Sequence, residues 1–224
     1  MPNKTLLLLL ALSPLTALAD TPQQPPCNRD DFFSTQFDYT VGRVVDAGQV
    51  LLLGEGPGCL DDERAGCASG DEIEPGTSLV IGNRWNEHYC VQSLEPGNEV
   101  VGWAPAPRVM KTGQSTENEF SDWIAHWEGS GGRAIDIVIK GGMLELSGPG
   151  AAGEAASTRI GSATPEEISG ELLLEQGDCQ TRVSLQGMHL VVADNGHCPA
   201  PAAALRGVYR NRAPMERLMQ LMER

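Results

Sequence analysis

The chain has 224 residues, with 30 Asp and Glu against 16 Lys and Arg and a formal charge of −14 at pH 7. Such a surface repels nucleic acid and anionic membranes and favours basic partners. Its six cysteines, an even number, argue for disulfides in an oxidising compartment rather than for metal thiolates.

The first stretch, "MPNKTLLLLLALSPLTALAD", has Lys4 near the start, an apolar run over Leu6–Leu12, and Ala17-Leu18-Ala19 before Asp20. This is the three-part pattern of a secretory signal, residues 1–19, with cleavage after Ala19. The apolar run falls short of the roughly 20 residues that span a membrane. No Cys follows the small residues, so no lipid anchor is expected. The mature chain, Asp20–Arg224, has 205 residues and no second apolar run, and losing Lys4 brings its charge to −15. A periplasmic or secreted location with no membrane span follows.

Thr21–Pro26, "TPQQPP", reads as a flexible leader. Short β-like runs follow at Val41–Val45, Val50–Leu53, Ser78–Ile81, Tyr89–Ser93 and Glu99–Trp103, bounded by Gly, Pro and Asn as in a small barrel or sandwich. Between them, Glu55, Asp61, Asp62, Glu63, Asp71, Glu72 and Glu74 face a single base, Arg64. The DxDxDG spacing of a calcium loop is missing, so this cluster is either solvated surface or a contact for a basic partner. In "EVVGWAPAPRV", Val101 and Trp103 share a strand face and Pro105 and Pro107 force a turn, so Trp103 is expected to fill a core. Trp85, in the turn-like "GNRWNEH", is the aromatic expected to be exposed. With Tyr89 it is a candidate binding anchor.

The polar, non-periodic stretch 111–121 reads as a linker between residues 20–110 and 122–212. In "AIDIVIK", Ile135, Ile137 and Ile139 share one face, and Gly141-Gly142 joins that run to "MLELS" as a two-residue hairpin. "TRVSLQGMHLVVAD" reads as a second hairpin turning at Gln186-Gly187. Trp123 and Trp127 have the same parity, and at least one is expected in the core. Residues 213–224 read as a helix, with Pro214 in its first turn and Met215, Leu218, Met219 and Met222 on one stripe. The expected fold is therefore all-β, with a short C-terminal helix.

Cys179 and Cys198 are alone in their half and are expected to pair. The other four are expected as Cys67–Cys90 and Cys27–Cys59. There is no CxxC pair, and His88/Cys90 and His197/Cys198 lack zinc-site spacing, so neither a metal nor another cofactor is expected. GxSxG and HExxH are also absent. Ser130 in "GSGG" lies near His126, but the segment reads more simply as a loop. Cys179 opens a strand-like run rather than the helix that a cysteine-peptidase nucleophile requires.

"GTSLVIGNRWNEHYCVQSLEPGNEVVGWAPAPRV", Gly76–Val109, resembles a bacterial SH3-like (SH3b) domain. The match is carried by Gly76, Val80, Cys90-Val91, Gly102-Trp103 and Pro105–Val109. "DWIAHW", the "IDIVI" hairpin and "LVVADNGHC" with "GVYR" are similar to the C-terminal part of uncharacterised exported bacterial proteins that carry such domains. The resemblance implies an SH3-like small barrel followed by a second antiparallel β-barrel or sandwich. The expected function is that of a non-catalytic exported binding protein recognising peptidoglycan or an envelope protein. The alternative is an acidic inhibitor or immunity protein that neutralises a basic exported enzyme or toxin, with Asp61, Asp62, Glu63, Asp71, Glu72 and Glu74 as its contact surface.

Overall fold

A computed structural model describes residues 24–54, 59–62, 67–95, 98–112, 118–148, 158–164, 170–199 and 205–211. The expected signal segment, the expected 213–224 helix and residues 113–117 of the expected 111–121 linker lie outside the described residues.

Alternation of apolar and polar residues between Gly, Pro and Asn turns yields strands throughout, and the fold is all-β. The first sheet uses β1 (Thr40–Val44), β2 (Val50–Leu53), β3 (Ala68–Ile73), β4 (Ser78–Trp85), β5 (His88–Ser93), β6 (Val101–Pro105) and β7 (Val109–Lys111). Its order is β3-β2-β6-β5-β4-β1-β7, a half-barrel with every pairing antiparallel. The second sheet uses β8 (Ala125–Gly129), β9 (Ala134–Lys140), β10 (Met143–Gly148), β11 (Thr158–Ala163), β12 (Glu171–Gln176), β13 (Cys179–Gln186), β14 (His189–Asp194) and β15 (Gly207–Asn211). Its order, β11-β10-β9-β8-β15-β14-β13-β12, curls into a nearly closed antiparallel barrel. The chain passes from one sheet to the other between Lys111 and Ala125, with a short 3₁₀ turn at Phe120–Trp123 held by a capping box.

Turn chemistry follows the glycines. Gly141 and Gly142 both take positive φ (61° and 82°) between Lys140 and Met143, as a type I′ hairpin requires. The β13–β14 turn lies one residue later than expected, at Gly187-Met188, because Gln186 pairs with His189 and Gly187 supplies the positive φ.

Three apolar clusters hold the molecule. One fills the barrel around Trp123, Trp127, Ile135, Ile137, Leu190, Val192 and Tyr209, so both tryptophans are core. Ile139, expected on that same face, is exposed at the barrel rim. A second cluster lines one face of the first sheet, with Val50, Leu52, Leu79, Ile81, Val91 and Ala104. The third lies between the two sheets: Cys27, Phe32, Phe33 and Tyr39 from the N-terminal segment, Trp103 from β6, and Val191 and Ala193 from β14. β14 is thus buried on both faces, which explains its continuous apolar run "LVVA". Trp103 has no exposed surface.

The segment 27–39 is the mortar of this junction. Thr35 N–H donates to the Asp194 carbonyl at 3.1 Å and Asp194 N–H to the Phe33 carbonyl at 3.3 Å. The buried Tyr39 hydroxyl donates toward the Phe32 carbonyl at 2.6 Å, with the Ser34 carbonyl at 2.9 Å. Arg182 of β13 reaches the Phe37 carbonyl at 3.1 Å and the Asp38 carboxylate at 3.2 Å.

The cysteines form Cys27–Cys90, Cys59–Cys67 and Cys179–Cys198. The third pair is as expected. The other two correct the expected Cys67–Cys90 and Cys27–Cys59, for a geometric reason. Cys27 begins the segment that packs over β5, which carries Cys90, whereas Cys59 and Cys67 close a short acidic loop upon itself. Among the described residues no helix is long and apolar enough to cross a membrane.

Candidate functional site

Where the barrel's outer face meets the end of β5, the two sheets enclose a cleft of about 750 Å³. One wall comes from Arg29, Gln92, Ser93, Leu94 and the approach to β6 (Asn98, Glu99, Val100). The other comes from Glu128, Ser130, Arg133, His189, Val208 and Arg210 of the barrel. A smaller recess of about 230 Å³ shares Arg29, Gln92, Glu99 and Arg133 with it and extends to Asp30 and Arg206. The volume suits a small ligand or a short peptide.

Strand parity aims these groups. In β15, Tyr209 points into the barrel, so Val208 and Arg210 face outward. Arg210 lies opposite Glu128 of β8 and His189 of β14, giving a row of three polar side chains across adjacent strands. Burial, and then the charge of Arg210, lowers the His189 pKa below its ordinary 6.5, so its ring is neutral at pH 7. Gly129 permits the tight fit beneath: a Cβ there would meet the Tyr209 ring at 2.8 Å.

The arginines differ in role. Arg133 is locked in place: Nε donates to the Ser130 carbonyl at 3.0 Å and Nη2 to Ser130 Oγ at 2.8 Å. Its Nη1 donates to the Arg206 carbonyl, and the guanidinium stands 5.8 Å from the Tyr209 ring centroid and packs on Gly207. Arg29 pairs with Glu99 at 2.7 Å. Arg206 lies 3.3 Å from the buried Asp194 carboxylate, within ion-pair reach though not aligned as a hydrogen bond. Among the described residues no hydrogen bond or ion pair holds the Arg210 guanidinium. Across the cleft Gln92 is only 6% exposed, and its Oε1 has no hydrogen-bond partner.

Ser130, set aside as a loop residue from the sequence, lines this cleft, whereas none of the expected binding residues does. Asp61 and Asp62 belong to the short helix Cys59–Asp62, their side chains and all of Glu63 falling outside the described residues. Asp71 and Glu72 lie on the edge strand β3 and point to opposite faces, and Glu74 just beyond it accepts from Gln49. Trp85 is half-buried against the junction cluster rather than exposed. Tyr89 is half-buried, with Arg84 and Lys111 at 5.6 and 5.0 Å from its ring centroid. The sequence does not reveal the cleft because its groups come from five separate stretches, none of which carries a local signal.

The His126 imidazole pairs with Asp136 at 2.7 Å on the exposed face of β8 and β9, while Ser130 Oγ is held by Arg133. All six cysteines are in disulfides. Among the described residues no three His, Cys, Asp or Glu side chains gather as a metal site.

No protein-family model, curated protein or solved structure matches the chain.

Proposed function

We propose that this is an exported, non-catalytic binding protein of the cell envelope whose cleft between an SH3-like half and a β-barrel takes a peptidoglycan fragment. The observation that carries the reading is the cleft itself, a ligand-sized hollow lined by polar side chains together with Leu94, Val100 and Val208. Of its two serines, Ser130 Oγ accepts from Arg133 and Ser93 Oγ accepts from the Glu95 N–H, and the His126–Asp136 pair lies elsewhere. The signal-like pattern of residues 1–19 and three disulfides support the compartment. A hollow of this size suits a polymer fragment better than the flat face of a protein partner.

Co-sedimentation of the mature protein with purified sacculi tests this. Binding should persist when Asp61, Asp62 and Glu63 are neutralised and weaken in Arg210→Gln. The reading fails if no sedimentation occurs, or if Arg210→Gln binds as wild type. The alternative, an acidic inhibitor of a basic exported enzyme, has the exposed Glu72 and Glu74 at the sheet edge on its side. Capture of one basic protein, lost on neutralising the acidic loop and reduced by salt, would favour it.

A further inference from the structure

The chain's charge of −14 makes its cleft anomalous: four of its sixteen basic residues, Arg29, Arg133, Arg206 and Arg210, line the two connected hollows. Three of these guanidiniums are committed, to Glu99, to the Ser130 and Arg206 backbone, and to Asp194. Arg210 remains. A second and independent feature is Gln92, which is 94% buried with its Oε1 unsatisfied in the opposite wall. An acceptor stripped of water and given no donor costs free energy that a ligand N–H or O–H would recover.

We infer that the cleft binds the free carboxyl end of a peptide, its carboxylate on Arg210 and an amide N–H of its backbone donating to Gln92 Oε1. This rests on the binding function proposed above and narrows its ligand. A guanidinium matches a carboxylate with two parallel hydrogen bonds. Phosphate offers the same oxygens, but Glu99 and Glu128 line the same cleft and penalise a dianion more than a carboxylate. A ligand with one negative charge and a nearby amide donor satisfies both walls.

Isothermal titration of the full mature protein with acetyl-Ala-Ala-Ala, its C-terminal amide and inorganic phosphate tests the assignment. The acid should bind at least about tenfold more tightly than the amide, the value of one charge-assisted contact. Arg210→Gln, at an exposed position, should fold normally and erase that preference. Gln92→Leu should weaken acid and amide alike while leaving their ratio unchanged. Should Gln92→Leu lose its near-UV circular dichroism, Arg210→Gln and the amide comparison decide alone. Equal affinity for acid and amide, a preference retained in Arg210→Gln, or tighter binding of phosphate than of peptide would each overturn the assignment. Sacculus binding without peptide binding would sink the carboxyl-end assignment and leave the wall reading intact. Peptide binding without sacculus binding would do the reverse.

Discussion

The three disulfides should differ in weight, and in a definite order. They close spans of 63, 19 and 8 residues for Cys27–Cys90, Cys179–Cys198 and Cys59–Cys67. Loop-closure entropy in the unfolded chain then assigns about 4, about 3 and about 2.5 kcal/mol respectively at 25 °C. The first pair carries a further consequence, because Cys27 begins the segment that supplies Phe32, Phe33 and Tyr39 to the junction and Arg29 to the cleft. Paired Cys→Ala variants, unfolded in urea and followed by tryptophan fluorescence, should lose stability in that order. Only the Cys27/Cys90 variant should also expose the junction, seen as protease cleavage within 27–39 under native conditions. Non-reducing peptide mapping of the wild type should show the same three links. The reasoning would be refuted if the Cys59/Cys67 variant lost as much stability as Cys27/Cys90, or if mapping joined Cys27 to Cys59.

Trp103 is fully buried between the sheets, so Trp103→Ala should cost about 3–5 kcal/mol, the usual range for truncating a buried aromatic. A variant of wild-type stability that had lost only its ligand would show that the side chain belongs to a site instead. Stability should also fall at both ends of the pH scale. Burial raises the Tyr209 hydroxyl from 10.0 to about 12 and moves Tyr39 the same way. Above pH 10 the unfolded phenols ionise while the folded ones hold their protons, so stability is lost as pH rises through that window. His189 has the opposite sign: its lowered folded pKa means that stability is lost as pH falls below 6.5. Urea midpoints across pH should flatten on the alkaline side in Tyr209→Phe and on the acid side in His189→Gln. Unchanged slopes would contradict the burial assigned to those rings.

Period-two alternation exposed β9 and β10, and paired glycines exposed their hairpin, because these signals act over a few residues. Two strands lacked them. β3, "ASGDEI", reads as an acidic loop, and only its place at the sheet edge beside β2 makes it a strand. In β11, Gly161 brings the chain against Leu174 of β12, where a Cβ would stand 2.9 Å away. That is a requirement of barrel closure, visible only once the strands meet. The N-terminal cysteine pairing failed for a related reason. Proximity along the chain said nothing of the segment 27–39 crossing over β5.

The site shows the same contrast more sharply. Charge density is highest in residues 55–74, yet the acids described there, Asp71, Glu72 and Glu74, lie at a sheet edge away from the cleft, and Glu74 accepts from Gln49. Isolated charges in "HWEGSGGR" and "GVYR" carry no such local signal. The register that sets Arg210 opposite Glu128 and His189, with Gln92 closing the far wall, is what gathers them. β14 ties this together: its inner face fills the barrel through Leu190 and Val192, and its outer face seats the N-terminal segment through Val191 and Ala193. Both walls of the cleft are therefore anchored to one doubly buried strand. A ligand entering it meets Arg29 and Arg133 already held by Glu99 and Ser130, so Arg210 is the arginine whose side chain binding must order.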